Sequence, residues 1–458
     1  MKPALGLLLL AIPVLSAALS KPVPTESGLI AGSPGTDKTI TVYKGVPFAA
    51  PPVGDQRWRA PEPPLKWKGV RAAEQFGANC VQTITREKKP WTYEFMAHGE
   101  VSEDCLFLNI WTAASRAGEK RPVFVYLHGG ANTEGSGSID SYNGEGLAKK
   151  GLVMITVNYR LGVFGFFTHP ELTKESDGRA AGNFALMDQM AALRWVKKNI
   201  AEFGGDPDRV TVTGQSAGAS DIALLLGSPL AKGLFQRAIM ESGGAPGNGG
   251  ARPLASGEAD GVKYAEAKGA HSLAELRALS WQDAFAPVQG VRFGPVVDGY
   301  IVLETRAVND VPTLTGSNAD ENGASPKNSA SVNEAARARQ RTALAAWAAA
   351  RAQNSKTAAF LYFYDHVLPG PDSAQYGAFH TSEVPYVLNS LDRCERPFTD
   401  ADRKVADTLS SYWANFAANG DPNGKGLPHW PSVGEKPSSV MEIGDRNEAI
   451  PAGSGARL

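Results

Sequence analysis

Two short glycine-bearing segments carry the residue types that acyl-transfer chemistry needs. In Gly214-Gln215-Ser216-Ala217-Gly218 a serine hydroxyl sits between glycines that permit a tight turn and leave it uncrowded. A G-x-S-x-G match alone is weak, so its surroundings decide. Val210-Thr-Val-Thr213 reads as a strand directly before it, and residues 217–226 read as an apolar helix directly after it. Strand, sharp turn and helix make a nucleophile elbow, with Ser216 Oγ at the carboxyl edge of a sheet and a helix N-terminus aimed at it. The second segment, His128-Gly129-Gly130-Ala131, follows the apolar run 122–127 without a gap. Its glycines let backbone N–H groups come close to a ligand. A tetrahedral intermediate needs such donors where its negative charge develops, and each contributes about 3–4 kcal/mol.

Several elements must position these groups. The runs 122–127 (PVFVYL) and 152–157 (LVMITV) are strands without polar alternation. Residues 182–200 have helical spacing, with Leu186, Met190, Leu193 and Val196 on one face. Strands are expected again at 210–213, 238–241 and 311–315, and a helix over 334–353. Val405, Leu409, Trp413 and Phe416 form a last helical stripe, stopped by Asn419-Gly420. The Pro-rich stretch 49–68 cannot be regular structure. Strands alternating with helices predict an α/β fold whose parallel sheet is covered on both faces. No linker divides the chain, so residues 21–458 read as a single domain.

The N-terminus, MKPALGLLLLAIPVLSAALSKPV, has one positive residue, an apolar run and a small-residue region, the pattern of a secretory signal peptide over residues 1–20. Cleavage after Ala18 or Ser20 fits it, and implies a secreted or periplasmic protein. No other run has membrane-spanning length. In the full 458 residues Lys+Arg number 46 and Asp+Glu 47, a balance that offers no broad attraction to nucleic acid or anionic lipid. Export makes the three cysteines informative. Cys80 and Cys105 bracket a polar loop, and a bridge between them would stabilise by about 3–4 kcal/mol through loop closure. Cys394 is left over.

These motifs together resemble the type-B carboxylesterase/cholinesterase family of the α/β-hydrolase fold. The resemblance runs from about Gly28 to Gly444. It rests on the run from Phe203 to Gly218, on Glu103-Asp-Cys-Leu-Phe-Leu-Asn-Ile-Trp111, on Asn158-Tyr-Arg-Leu-Gly162, and on Tyr412-Trp-Ala-Asn-Phe416 with Gly420-Asp-Pro422. It implies a central, mostly parallel twisted sheet flanked by helices, and places Cys80–Cys105 where the family closes its first disulfide loop. It also implies an acid at Glu321, in Gly316-Ser-Asn-Ala-Asp-Glu321, with Asp320 as the rival, and a base at His380, in Gly377-Ala-Phe-His380. The oxyanion donors fall on the N–H groups of Gly130, Ala131 and Ala217. Ser242, in Glu241-Ser-Gly-Gly244, matches a serine that hydrogen-bonds the acid.

Two departures bear on specificity. Ala131 stands where a third glycine is common, which narrows the approach for bulky tertiary-alcohol esters. The Glu321–His380 interval is short for the family, implying a shortened cap, a more open site and loose acyl selectivity. The implied activity is serine carboxylesterase action on a small-molecule ester, through an acyl-enzyme on Ser216. The mechanism needs no cofactor, and no metal-binding cluster or nucleotide loop is legible. The alternatives are an esterase for bulky polyester or mycotoxin-like secondary-metabolite esters, and a catalytically inactive, cholinesterase-like binding domain. Oligomeric state is not legible.

Overall fold

The computed structural model describes residues 19, 21–179, 181–243, 250–304, 309–321, 328–437 and 439–451. The expected signal peptide lies almost wholly outside them. The central sheet has eleven strands: β1 Ser33–Pro34, β2 Thr41–Pro47, β3 Phe107–Thr112, β4 Arg121–Leu127, β5 Val153–Val157, β6 Gly205–Gln215, β7 Arg237–Glu241, β8 Thr313–Asn318, β9 Ala359–Tyr364, β10 Ser439–Ile443 and β11 Asn447–Pro451. Their spatial order is β11-β10-β9-β8-β7-β6-β4-β5-β3-β2-β1. Strands β4 to β10 run parallel to their neighbours, while β1 to β3 and β11 join antiparallel at the two edges.

The unbroken apolar run of β4 has a simple cause, because both faces of the sheet are covered. Phe124 and Tyr126 face one core, which they share with Trp413 and Phe416. Val123, Val125 and Leu127 face the other, with Leu186, Leu193, Ile222 and Leu225. The second core is built by helices α1 (Phe184–Asn199) and α2 (Ala217–Gly227). On the opposite face lie α3 (Ala330–Asn354) and α4 (Asp400–Asn419). Helix α4 ends as its sequence requires, on Gly420 in the left-handed region at φ 80°.

Element types follow the sequence reading, and the boundaries shift. Strand β6 starts at Gly205 rather than near 210, with an irregularity in its pairing to β4 between Gly205 and Val210. Strand β8 extends to Asn318, which carries the chain to the sheet edge where Glu321 sits. Three further helices, Leu254–Ala267, Leu273–Ala278 and Trp281–Phe285, pack with Trp58, Phe164 and Phe167 in a third apolar cluster.

Candidate active site

Four chain segments meet above the carboxyl ends of the parallel strands. Ser216 joins β6 to α2 at φ 55° and ψ −118°, a strained conformation for a non-glycine residue that costs about 1–3 kcal/mol. It persists because the surroundings fix it. The Ser216 N–H donates to Glu241 C=O at 2.8 Å. The glycines on either side are required by close approach: a Cβ on Gly214 would lie 2.6 Å from Gly218 carbon, and one on Gly218 would lie 2.2 Å from Leu127 oxygen.

His380 Nδ1 is hydrogen-bonded to Glu321 Oε2. The other oxygen of Glu321 accepts the Asn318 N–H at 2.7 Å. Burial pulls the His380 pKa down, but the hydrogen bond to Glu321 and the Glu321 charge outweigh it, so the net shift is upward from 6.5. Asp320, the rival acid, points elsewhere: it pairs with Arg337 at 2.9 Å and accepts the Ala378 N–H at 3.0 Å. Among the described residues Ser216 Oγ has no hydrogen-bond partner, and His380 Nε2 instead faces Gln215 Nε2 at 3.3 Å.

The loop after β4 turns through three successive left-handed residues, Gly130 (φ 103°), Ala131 (φ 54°) and Asn132 (φ 59°). The Gly130 C=O accepts from the N–H groups of Thr133 and Glu134 at 2.9 and 3.0 Å. Among the described residues the N–H groups of Gly130, Ala131 and Ala217 have no protein partner, as donors reserved for a ligand would be. His128 is fully buried, stacked on Tyr159, and burial lowers its pKa to about 4, so it is neutral and structural.

A cavity of about 260 Å³ opens over these groups, lined by Ser216, Gln215, His380 and Gly129 to Ala131. Its outer wall is the loop closed by the Cys80–Cys105 disulfide, which supplies Trp91, Phe95 and Met96. Trp91 Nε1 also donates to His380 C=O at 3.0 Å and to Thr381 Oγ1 at 3.1 Å, tying that wall to the histidine. The three helices between residues 254 and 285 contribute no lining residue. The open site expected from a shortened cap is therefore walled on one side by the disulfide loop.

Ser242 departs from expectation. Among the described residues its buried Oγ makes no hydrogen bond to Glu321 and has the Tyr362 hydroxyl as its neighbour, and Glu321 is held by Asn318 instead. Asn318 is itself fully buried and donates its amide to Phe379 C=O at 2.8 Å and to Glu383 Oε2 at 2.5 Å. Glu383 and Glu241 are both fully buried, and burial raises both carboxyls well above their ordinary range. The sequence reading passed over Asn318, Glu383 and Trp91, and also Asp221, a fully buried acid that accepts hydrogen bonds from the Asn132 and Gln189 amides. Only Asp221 leaves a signal in the sequence, as a lone acid in the apolar helix Ala217–Gly227.

The class is now defined. A mostly parallel sheet with a serine on the elbow, a histidine–carboxylate pair and free backbone donors at its carboxyl edge is an α/β-hydrolase built for serine chemistry. The model of the carboxylesterase family matches residues 20–346 and 329–454, and the chain belongs to that family. It is a carboxylic ester hydrolase. The fumonisin B1 esterase of Sphingopyxis macrogoltabida is 34% identical over 495 aligned positions, covering 92% of this chain and 86% of that protein. The para-nitrobenzyl esterase of Bacillus subtilis is 33% identical, covering 92% and 94%. Among solved structures, a Geobacillus stearothermophilus carboxylesterase superimposes with a TM-score of 0.77 at 30% identity, covering 94% of this chain and 98% of that one. The first alignment is longer than the 458-residue chain, so that relative carries segments this chain lacks.

Proposed function

We propose that this ester hydrolase works through an acyl-enzyme on Ser216, with His380 as base, Glu321 as acid and the N–H groups of Gly130, Ala131 and Ala217 as the oxyanion hole. The observation that carries the assignment is the His380 Nδ1–Glu321 Oε2 bond beside a strained, unpaired serine. Neutral His380 takes the Ser216 proton as Oγ attacks the ester carbonyl. Glu321 orients the ring and stabilises the imidazolium. The tetrahedral oxyanion rests on the three N–H groups. Its collapse breaks the bond to the alkoxy oxygen, which leaves as the alcohol with the proton from His380. Water, deprotonated by the same histidine, then attacks the acyl-enzyme and releases the carboxylic acid, restoring Ser216.

The reading extends to export of the mature chain. It is supported by the signal-like N-terminus and by the Cys80–Cys105 disulfide, a bond that persists in oxidising compartments. A second reading, an esterase for bulky secondary-metabolite esters, is favoured by the similarity to a fumonisin B1 esterase.

Labelling by a fluorophosphonate, lost in Ser216→Ala, tests the nucleophile. A panel of p-nitrophenyl esters alongside esters of bulky alcohols separates the two substrate readings. An unlabelled wild-type protein would remove Ser216 from its role.

A further inference from the structure

We propose that Asn132 is a positioning residue, tethering the left-handed turn at residues 130–132 to the buried carboxyl of Asp221 so that the Gly130 and Ala131 N–H groups stay turned into the cavity. The inference rests on the oxyanion-hole reading above and adds what holds that hole in shape.

The turn needs holding. Of its three left-handed residues only Gly130 tolerates the conformation freely, because Ala131 and Asn132 carry a Cβ. Such a conformation persists only where the surroundings over-determine it. Relaxing φ of Ala131 and Asn132 to negative values would rotate the peptide plane between residues 130 and 131, which carries the Ala131 N–H, and shift Gly130, at the head of the same turn, away from Ser216.

Two anchors converge on Asn132. Its C=O accepts the Gly162 N–H at 2.7 Å. Its side-chain Nδ2 donates to Asp221 Oδ1 at 3.0 Å. Asp221 lies on α2, five residues beyond Ser216, and is fully buried beside Ile222, Leu224 and Leu225. Its second oxygen accepts Gln189 Nε2 at 2.6 Å, from α1. One carboxyl thus joins the oxyanion loop, the helix that follows the nucleophile and a helix packed on the sheet. Burying a carboxyl in an apolar surround is costly, and a leucine would fill the same space without that cost. The two amide bonds are what the acid provides. Asn132 is buried and does not line the cavity, so it acts through the backbone and not on the substrate.

The test is a set of four variants. Asn132→Gly removes the tether and leaves positive φ accessible. Asp221→Ala removes the acceptor. The third is the double variant. The fourth, Asp221→Asn, keeps an acceptor for Asn132, and Gln189 can turn its unpartnered Oε1 toward the new amide. Measured on each are kcat and KM for p-nitrophenyl acetate, thermal midpoint, and affinity for a trifluoromethyl ketone, which forms a tetrahedral adduct on a serine. Asn132→Gly and Asp221→Ala should lose about 10- to 100-fold in both kcat and ketone affinity, with KM within about threefold. The double variant should be no worse than either single, and Asp221→Asn should stay within about threefold of wild type. Ketone affinity retained in Asn132→Gly, whatever its stability, would overturn the tether, as would losses that multiply in the double variant. Fluorophosphonate labelling of the wild type is run beside them. A labelled wild type with unaffected variants sinks the tether alone, and an unlabelled wild type sinks the esterase reading together with it.

Discussion

Gln215 Nε2 lies 3.3 Å from His380 Nε2, the ring nitrogen that must also serve Ser216. An amide N–H can donate there only while that nitrogen carries a lone pair, so Gln215 favours the neutral imidazole. Glu321, on the opposite ring nitrogen, favours the charged one, and the net shift is upward from 6.5. The base works only when neutral. Ester hydrolysis should therefore fall on acidification, with the midpoint of the acid limb of kcat/KM above 6.5. Replacing Gln215 with Glu sets a carboxylate against Nε2 and should move that limb to still higher pH. An unchanged limb in Gln215→Glu, followed from about pH 5 to 9 with a substrate that does not ionise, would mean that His380 is not the titrating base.

Ser216→Ala should abolish turnover, with a loss on the order of 10⁴–10⁶ in kcat and an unchanged fold. Circular dichroism and a p-nitrophenyl acetate assay on the same preparation check both halves. Activity within tenfold of wild type would place the nucleophile elsewhere.

The Cys80–Cys105 bridge closes the loop that walls the cavity, across a sequence separation of 25. Loop closure of that length stabilises by about 3–4 kcal/mol. Reduction should lower the unfolding midpoint and raise KM, because Trp91, Phe95 and Met96 lose their anchor. Peptide mapping without reduction should find the two cysteines joined. Buried Cys394, whose thiol burial pushes well above its ordinary range, should alkylate only after denaturation.

Glu241 and Glu383 set a second pH dependence, this one on stability. Burial raises both above the ordinary 4.5, to about 8 for Glu241. The folded state then binds more protons than the unfolded state between those values, so stability is full below about 4.5 and is lost as pH rises through about 8. Glu241→Gln keeps an oxygen for the Trp413 Nε1 bond of 2.7 Å and removes the ionisation. Its melting temperature should exceed wild type at pH 9 and match it at pH 5. Parallel curves at both pH values would refute the ionisation.

Acyl-chain preference follows from which walls exist. The disulfide loop walls the cavity beside His380, next to the position the leaving alcohol must take to receive its proton. The helices between residues 254 and 285 add no lining. Each methylene buried in a pocket is worth about 0.8 kcal/mol, and an acyl chain partly in water gains little of that. Esters from acetate to butyrate should be preferred, with little gain beyond. A steep rise in kcat/KM from butyrate to octanoate would show a deep acyl pocket.

The sequence by itself determined the element types around the site, because each is local. The apolar runs of β4 and β5, the glycines framing Ser216 and the stop at Gly420 act within a few residues of chain. The elbow motif pointed to Ser216, and the family resemblance of the segments around them pointed to Glu321 and His380. What it could not decide is where side chains meet across long separations. Glu321 and Asp320 are adjacent and chemically alike, and only the exit of β8 from the sheet turns one toward His380 and the other toward Arg337. Ser242 had the right residue type, but among the described residues its hydroxyl does not reach Glu321, and Asn318 holds the acid through a backbone N–H that no side-chain motif records. Trp91 and His380 lie 289 residues apart in the chain, and Asn132 and Asp221 lie 89 apart. Such pairs exist only once the sheet has brought its carboxyl edge and the disulfide loop together, because hydrogen bonds reach about 3 Å and depend on direction.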